Sequence, residues 1–238
     1  MHPSLKALIE SPISHRGLHD GNVATYENSR SAFETAISQN YGIELDVQLS
    51  ADGVAVVFHD ETLDRLTAET GPVRARSAEE LGTVALGATT DTIETLDAIL
   101  SMVDGRVPVV LELKDNGTDN AELVASVVDA VATHAAKGAL SVMSFSQDII
   151  ARLRAAKIVC PIGLTAEGLG TKAHETHRLA FEHDIEFVSY QVTALPNDFV
   201  ADVRARGLPV ITWTVRTPVH LELTLAHADQ ATFEGFRP

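Results

Sequence analysis

The sequence predicts an α/β protein folded as a (β/α)8 TIM-type barrel with a short insert in the second βα connection. Three observations carry that prediction. Short aliphatic and β-branched runs alternate with helical-period segments along almost the whole chain, the pattern of a parallel sheet covered by helices. Eight such strand-like runs, separated by helices, fit within 238 residues, which suits a closed barrel better than an open doubly wound sheet. No glycine-rich phosphate fingerprint follows the first strand, which argues against a dinucleotide-binding sheet.

Taken in order, Ile13-Ser14-His15 is a short first strand. Asn28 to Asn40 is a helix, with Ala32, Phe33, Ala36 and Ile37 at helical spacing. Glu44 to Leu49 is the second strand. Val54 to Phe58, across a turn at Asp52-Gly53, is an extra strand inside the second βα connection. Glu61 to Thr92 is a short, polar, irregular insert with room for a helix near Ser77 to Leu81. Helix Leu96–Val103 leads into strand Val107–Leu113, and helix Ala121–Ala136 into strand Leu140–Phe145. Helix Gln147–Ala156 then precedes strand Val159–Leu164, and helix Ala173–His183 precedes strand Phe187–Tyr190. Helix Asp198–Arg206, strand Leu208–Val215, helix Pro218–His227 and strand Ala231–Phe233 complete the alternation.

No low-complexity tract divides the chain, so residues 1–238 read as a single domain. The 33 acidic against 18 basic residues give a formal charge of −15. Such a surface repels phosphate backbones and anionic membranes, which excludes extended nucleic acid as a partner. An anionic substrate must be attracted locally, by a metal ion or a few placed cations. The single cysteine, Cys160, lies in an apolar run and reads as a buried small hydrophobe. No apolar stretch is long enough for a signal peptide or a membrane span, so a cytoplasmic protein without stable membrane insertion is expected. A monomer or homodimer is expected.

The strands carry polar residues where buried strands should be aliphatic. His15-Arg16-Gly17 ends the first, Glu44 and Asp46 close the second, and Glu112 with Lys114 closes the third. In a barrel of this type the chemistry sits at the carboxyl ends of the strands. Residues two apart share a strand face, so Glu44 and Asp46 point together, as do Glu112 and Lys114. Three carboxylates converging on one mouth repel unless a positive charge lies between them. A hard divalent cation, Mg²⁺ or Ca²⁺, takes oxygen ligands and leaves positions for substrate oxygens. The alternative is a structural ion-pair network that plugs the barrel.

His15 and His59 end the first and the extra strand, and two imidazoles in one site supply a proton donor and acceptor near neutrality. Arg16 can grip a phosphate with its planar fork and Lys114 can add a point charge, although either can equally pair with a carboxylate. Trp213, the only tryptophan, packs in the core or walls a substrate pocket. His19, in the loop after the first strand, is a weaker candidate.

The stretches "SHRG", "YENSRSAFETAI", "GIELDVQLSADGVAVVFHDETLDRLT", "LELK", "SF" and "PVITWTV", in this order, resemble the glycerophosphodiester phosphodiesterase family over nearly the whole chain from His15 onward. The resemblance implies metal-dependent hydrolysis of a small-molecule phosphodiester to glycerol 3-phosphate and an alcohol. It matches Glu44, Asp46 and Glu112 to metal ligands, and His15 and His59 to the general acid–base pair. It also matches Arg16 and Lys114 to phosphate contacts and Trp213 to the aromatic near the substrate. Three positions depart from the family pattern: Glu94 stands where Pro is usual, Arg216 where Asn is usual, and Glu234 where Asp is usual. None is expected to touch the metal or proton-transfer residues. The alternatives are a lyase of the phospholipase C or D type that leaves a cyclic phosphate, and a non-catalytic barrel that binds phosphorylated metabolites.

Overall fold

The first element is one the sequence reading leaves unassigned. In the computed structural model, which describes residues 2–115 and 117–238, Pro3–Glu10 is a helix, α1. Pro3 needs no hydrogen-bonded N–H at the first helical position, and His2 Nδ1 accepts from the Ser4 N–H at 3.2 Å. Eight residues are too few to be stable by propensity alone. What holds α1 is burial of Leu5 and Leu8 against Ile13, Val110, Met143, Phe187 and Ile211, the inward side chains at the start of the barrel.

The chain continues through β1 (Ile13–Ser14), α2 (Arg30–Ser38), β2 (Gly42–Leu49), β3 (Ala55–Val57), α3 (Ala78–Leu81), α4 (Leu96–Val103) and β4 (Val109–Leu113). Next come α5 (Asn120–His134), β5 (Leu140–Ser144), α6 (Gln147–Ala155), β6 (Ile162–Ala166), α7 (Thr171–Arg178) and β7 (Phe187–Gln191). The chain finishes with α8 (Asp198–Ala205), β8 (Val210–Val215), α9 (Pro218–His227) and β9 (Gln230–Phe233). Ser29, Thr95, Asn197 and Thr217 cap α2, α4, α8 and α9 with side-chain oxygens, which sets those starts locally. Eight strands are parallel, and β1 closes the ring by pairing with both β2 and β9. Among the described strands only β3 is antiparallel, on the far half of β2 from Val47 to Leu49. No described helix is long and apolar enough to cross a membrane.

Burial of every residue of β2 explains why its sequence looks wrong for a half-exposed strand. Ile43, Leu45, Val47 and Leu49 join the layer beneath the surrounding helices, while Glu44 and Asp46 turn into the barrel. Strand β4 repeats this: Val109, Leu111 and Leu113 pack outward, and Val110 and Glu112 point in. At the opposite wall the Phe187 ring fills the interior, and a Cβ on Gly163 would lie 2.4 Å from it, so that position of β6 has no room for a side chain.

Two expectations need correction. The strand expected at Val159–Leu164 is Ile162–Ala166, because Pro161 has no N–H to give a ladder and Val159 is exposed; Cys160 is buried, as expected. The insert is not merely irregular. Leu63, Leu66, Val73, Leu81, Val84, Leu86 and Ile93 form a small core of their own with Val56 and Phe58. The helix expected near Ser77 to Leu81 is present as α3, with a capping box between Ser77 and Glu80. Just beyond the insert the chain is tied to α2, where Arg30 reaches both oxygens of Glu94 at 2.9 and 2.5 Å. That pair accounts for an acid at the position where the family resemblance leads one to expect proline.

Candidate active site

The parallel register of β2 and β4 sets Asp46 beside Glu112, and Glu44 precedes Asp46 on the same inward face. Ligand oxygens of Glu44, Asp46 and Glu112 lie within 4.8 Å of one another, and all three residues are buried. The loop after β1 supplies two contacts to this group. Arg16 holds a left-handed backbone at φ 56°, followed by Gly17 at φ 80°. That turn, which costs about 1 kcal/mol or more at a non-glycine residue, lets the Arg16 N–H donate to Glu44 Oε2 at 3.0 Å. Asn28, also left-handed at φ 55°, donates from Nδ2 to Asp46 Oδ2 at 2.8 Å and accepts from the Asp46 N–H.

Both cations predicted for this mouth are engaged with the acids. Arg16 Nε lies 3.1 Å from Asp46 Oδ2, and its Nη1 donates to Glu27 at 2.7 Å. Lys114 Nζ sits 2.7 Å from Asp46 Oδ1 and also contacts Glu112. Burial alone would raise the Asp46 carboxyl, but Lys114 and Arg16 carry it below the usual carboxylate range. Glu44 goes the other way: burial, with Asp46 and Glu112 beside it, pushes it well above its ordinary value. Burial also raises Glu112. Acids held so close are a donor set that fits a hard divalent cation.

His15 follows β1, where its N–H donates to the Phe233 carbonyl at 2.9 Å, and its ring Nδ1 lies 2.7 Å from Glu234 Oε2. Burial lowers its imidazole, opposed by Glu234. His59 lies two residues beyond β3, in a turn fixed by Gln48, whose side-chain amide donates to the carbonyls of His59 and Asp60 at 2.9 and 2.7 Å. His59 Nδ1 is 2.6 Å from Asp60 Oδ1, and burial lowers this imidazole too, opposed by Asp46. Arg65 clamps both oxygens of Asp60, at 2.6 and 2.9 Å, and reaches Glu27 as well. Trp213 and Phe145 stand edge to face, centroids 5.5 Å apart, with Trp213 Nε1 donating to the Ser189 carbonyl.

All eight residues named from the sequence, His15, Arg16, Glu44, Asp46, His59, Glu112, Lys114 and Trp213, line one cavity of about 200 Å³. His19 does not line it; its ring accepts from the Gly21 N–H two residues on in the same loop. The sequence reading missed Glu27, Asn28, Asp60, Arg65 and Glu234, which hold the lining residues in place. Asp60 and Arg65 stood in plain view inside the "HDETLDR" stretch. Glu234 departs from the family pattern, and the sequence leads one to expect no contact with a proton-transfer residue; its contact with His15 corrects that, and only the β1–β9 pairing reveals it.

Known proteins share this architecture and these motifs. A family model described as "Glycerophosphoryl diester phosphodiesterase family" matches residues 15–235. YhdW of Bacillus subtilis, whose name assigns it to the glycerophosphodiester phosphodiesterases, is 27% identical over 215 residues, covering 85% of each chain. A glycerophosphodiester phosphodiesterase of Caldanaerobacter subterraneus is 49% identical over 70 residues, which are 29% of this chain and 28% of that protein. An Oleispira antarctica phosphodiesterase solved in complex with the product sn-glycerol-3-phosphate superposes with a TM-score of 0.84 at 25% identity, covering 95% of this chain and 94% of that one.

Proposed function

This chain belongs to the glycerophosphoryl diester phosphodiesterase family and is a glycerophosphodiester phosphodiesterase, and on that premise we propose how its own residues carry the reaction. The observation that supports the reading is the convergence on one cavity of the eight side chains named from the sequence, three of them carboxylates whose oxygens lie within 4.8 Å. Glu44, Asp46 and Glu112 would hold one divalent cation, Mg²⁺ or Ca²⁺. When bound, that ion would supply Lewis-acid positive charge to the phosphate of the diester. Arg16 and Lys114, already at the carboxylates, add donors for the same phosphate and align it. With a surface of formal charge −15, attraction of an anionic diester is confined to this spot.

His15 and His59 carry the protons. One accepts from the nucleophile and the other donates to the departing alcohol oxygen, a contribution of about 10²–10⁴-fold. Each ring has one nitrogen tied to a carboxylate, which leaves the other for the substrate. Trp213 and Phe145 form the apolar wall against which the alcohol portion packs. The products are an alcohol and glycerol 3-phosphate, the compound bound in the Oleispira structure. Residues 1–238 act as one unit, and phosphodiesters released by lipid breakdown in the cytoplasm are the proposed source of substrate.

The test is hydrolysis of glycerophosphocholine, with choline and glycerol 3-phosphate both measured. Activity is expected to vanish in EDTA, to return with Mg²⁺ or Ca²⁺, and to fall strongly in His59→Ala. Phosphorus NMR of the reaction distinguishes attack by water from attack by the substrate's own hydroxyl, which leaves a cyclic phosphate. Full turnover in EDTA, or in His59→Ala, overturns the reading.

A further inference from the structure

Three adjacent strand ends place His15, Glu234 and Arg216 side by side at the mouth. Strand β9 lies between β1 and β8, with Ser14 opposite Phe233 and Phe233 opposite Val215. Backbone bonds lock the row from both sides: the His15 N–H donates to the Phe233 carbonyl at 2.9 Å, and the Glu234 N–H to the Val215 carbonyl at 3.0 Å. From that position Glu234 Oε2 meets His15 Nδ1 at 2.7 Å, while Arg216 approaches the two Glu234 oxygens at 3.4 and 3.3 Å. We infer that Glu234, braced by Arg216, is a positioning residue that fixes the tautomer and the aim of His15. The inference rests on the reading of His15 as a proton-transfer group.

The argument is one of hydrogen-bond capacity. The His15 hydrogen bond, together with Arg216, overcomes burial and holds the Glu234 carboxyl down to about 2, so it is an anion at any working pH. A carboxylate anion can only accept, so the proton of the neutral imidazole sits on Nδ1. Nε2 is then left with its lone pair. The ring lines the cavity, and among the described hydrogen bonds none uses Nε2. The same atom accepts a proton in the neutral form and returns it from the cation, which Glu234 stabilises. The other wall of the cavity is built alike. His59 Nδ1 meets Asp60 at 2.6 Å, and Arg65 braces Asp60. A histidine, a carboxylate on its Nδ1 and an arginine behind that carboxylate thus occur twice around one cavity. The His59 set is bound by shorter arginine contacts; the long Arg216 contacts, from a half-exposed side chain, make Arg216 the weaker brace.

Steady-state kinetics of the full chain on glycerophosphocholine, in the metal that supports activity, tests this. Glu234→Gln is expected to lower kcat about 10–100-fold, as loss of an orienting partner of a functional histidine does, with KM within about twofold. Glu234→Asp keeps the charge and recovers part of the loss, and Arg216→Gln lowers kcat only a few-fold. In a His15→Ala background Glu234→Gln has no further effect, whereas a merely structural role would multiply. Nitrogen-15 NMR of the unmodified enzyme is expected to show the His15 proton on Nδ1, a readout that needs no variant to fold. A proton on Nε2, parental kcat in Glu234→Gln, or multiplicative losses in the double variant overturns the inference while His15→Ala stays inactive. A His15→Ala enzyme near parental turnover overturns the reading of His15, and the inference with it.

Discussion

The floor and the mouth of the barrel are built by the same strands, two residues apart, and have opposite chemistry. Strand β1 leads from Ile13 to His15, β4 gives Val110 and then Glu112, and β8 gives Ile211 and then Trp213. At the floor these side chains close on each other and on Leu5 and Leu8 of α1. At the mouth they surround three buried carboxylates, one of them forced well above its ordinary protonation range. The difference shows where stability and function separate in this fold. The floor gains free energy from close packing, while the mouth gathers carboxylates whose mutual repulsion Arg16 and Lys114 offset in part.

That division can be broken by experiment, and the largest effects belong to the mouth. Chelation is expected to abolish turnover on glycerophosphocholine while the melting temperature of the metal-free protein shows that it stays folded; a protein that unfolds in EDTA would make the ion structural. His59→Ala is expected to lower kcat by about 10²–10⁴-fold with a melting temperature close to that of the parent, because the ring is one-third exposed and supports no core. Leu8→Ala at the floor should do the reverse. It is expected to cost about 2–5 kcal/mol in denaturant unfolding and to leave kcat within about twofold at a temperature where the variant is folded. Lost turnover in that folded variant would show that floor and mouth are coupled.

Two smaller effects sharpen the picture. Glu27 is buried and holds Arg16 and Arg65 together, so Glu27→Ala leaves both cations short of a partner. About 3 kcal/mol of stability is expected to go, the low end for breaking a buried pair because Arg65 is half exposed. The smallest effect concerns pH. The Glu234 carboxyl is held at about 2 against its ordinary 4.5, so its contribution to stability is fully present above about pH 4.5 and is lost as pH falls toward 2. The deficit in melting temperature of Glu234→Gln relative to the parent should therefore shrink over that interval. A deficit that stays constant would mean that the carboxylate charge adds nothing.

The parts of this protein visible in the sequence share one property: their signal is local. Strand Glu44–Leu49 stands out by its aliphatic residues, α2 by the helical spacing of Ala32, Phe33, Ala36 and Ile37, and His59 by its place at the end of the aliphatic run Val54–Phe58. The missed parts depend on partners far away in the chain. Helix α1 is too short to announce itself and exists because the barrel floor covers Leu5 and Leu8. The insert's core joins residues from Val56 to Ile93, none of which forms a period.

By itself the sequence determined the alternating elements, the closed parallel barrel they imply and the polar residues at the strand ends, because burial period and residue polarity are written along the chain. Only the tertiary structure decided that Glu234, 219 residues from His15, supplies its hydrogen-bond partner, that Lys114 and Arg16 both lean on Asp46, and that Glu94 answers Arg30. Contacts of that kind depend on strand register and barrel closure, and no local pattern encodes which two distant side chains those will bring within hydrogen-bonding distance.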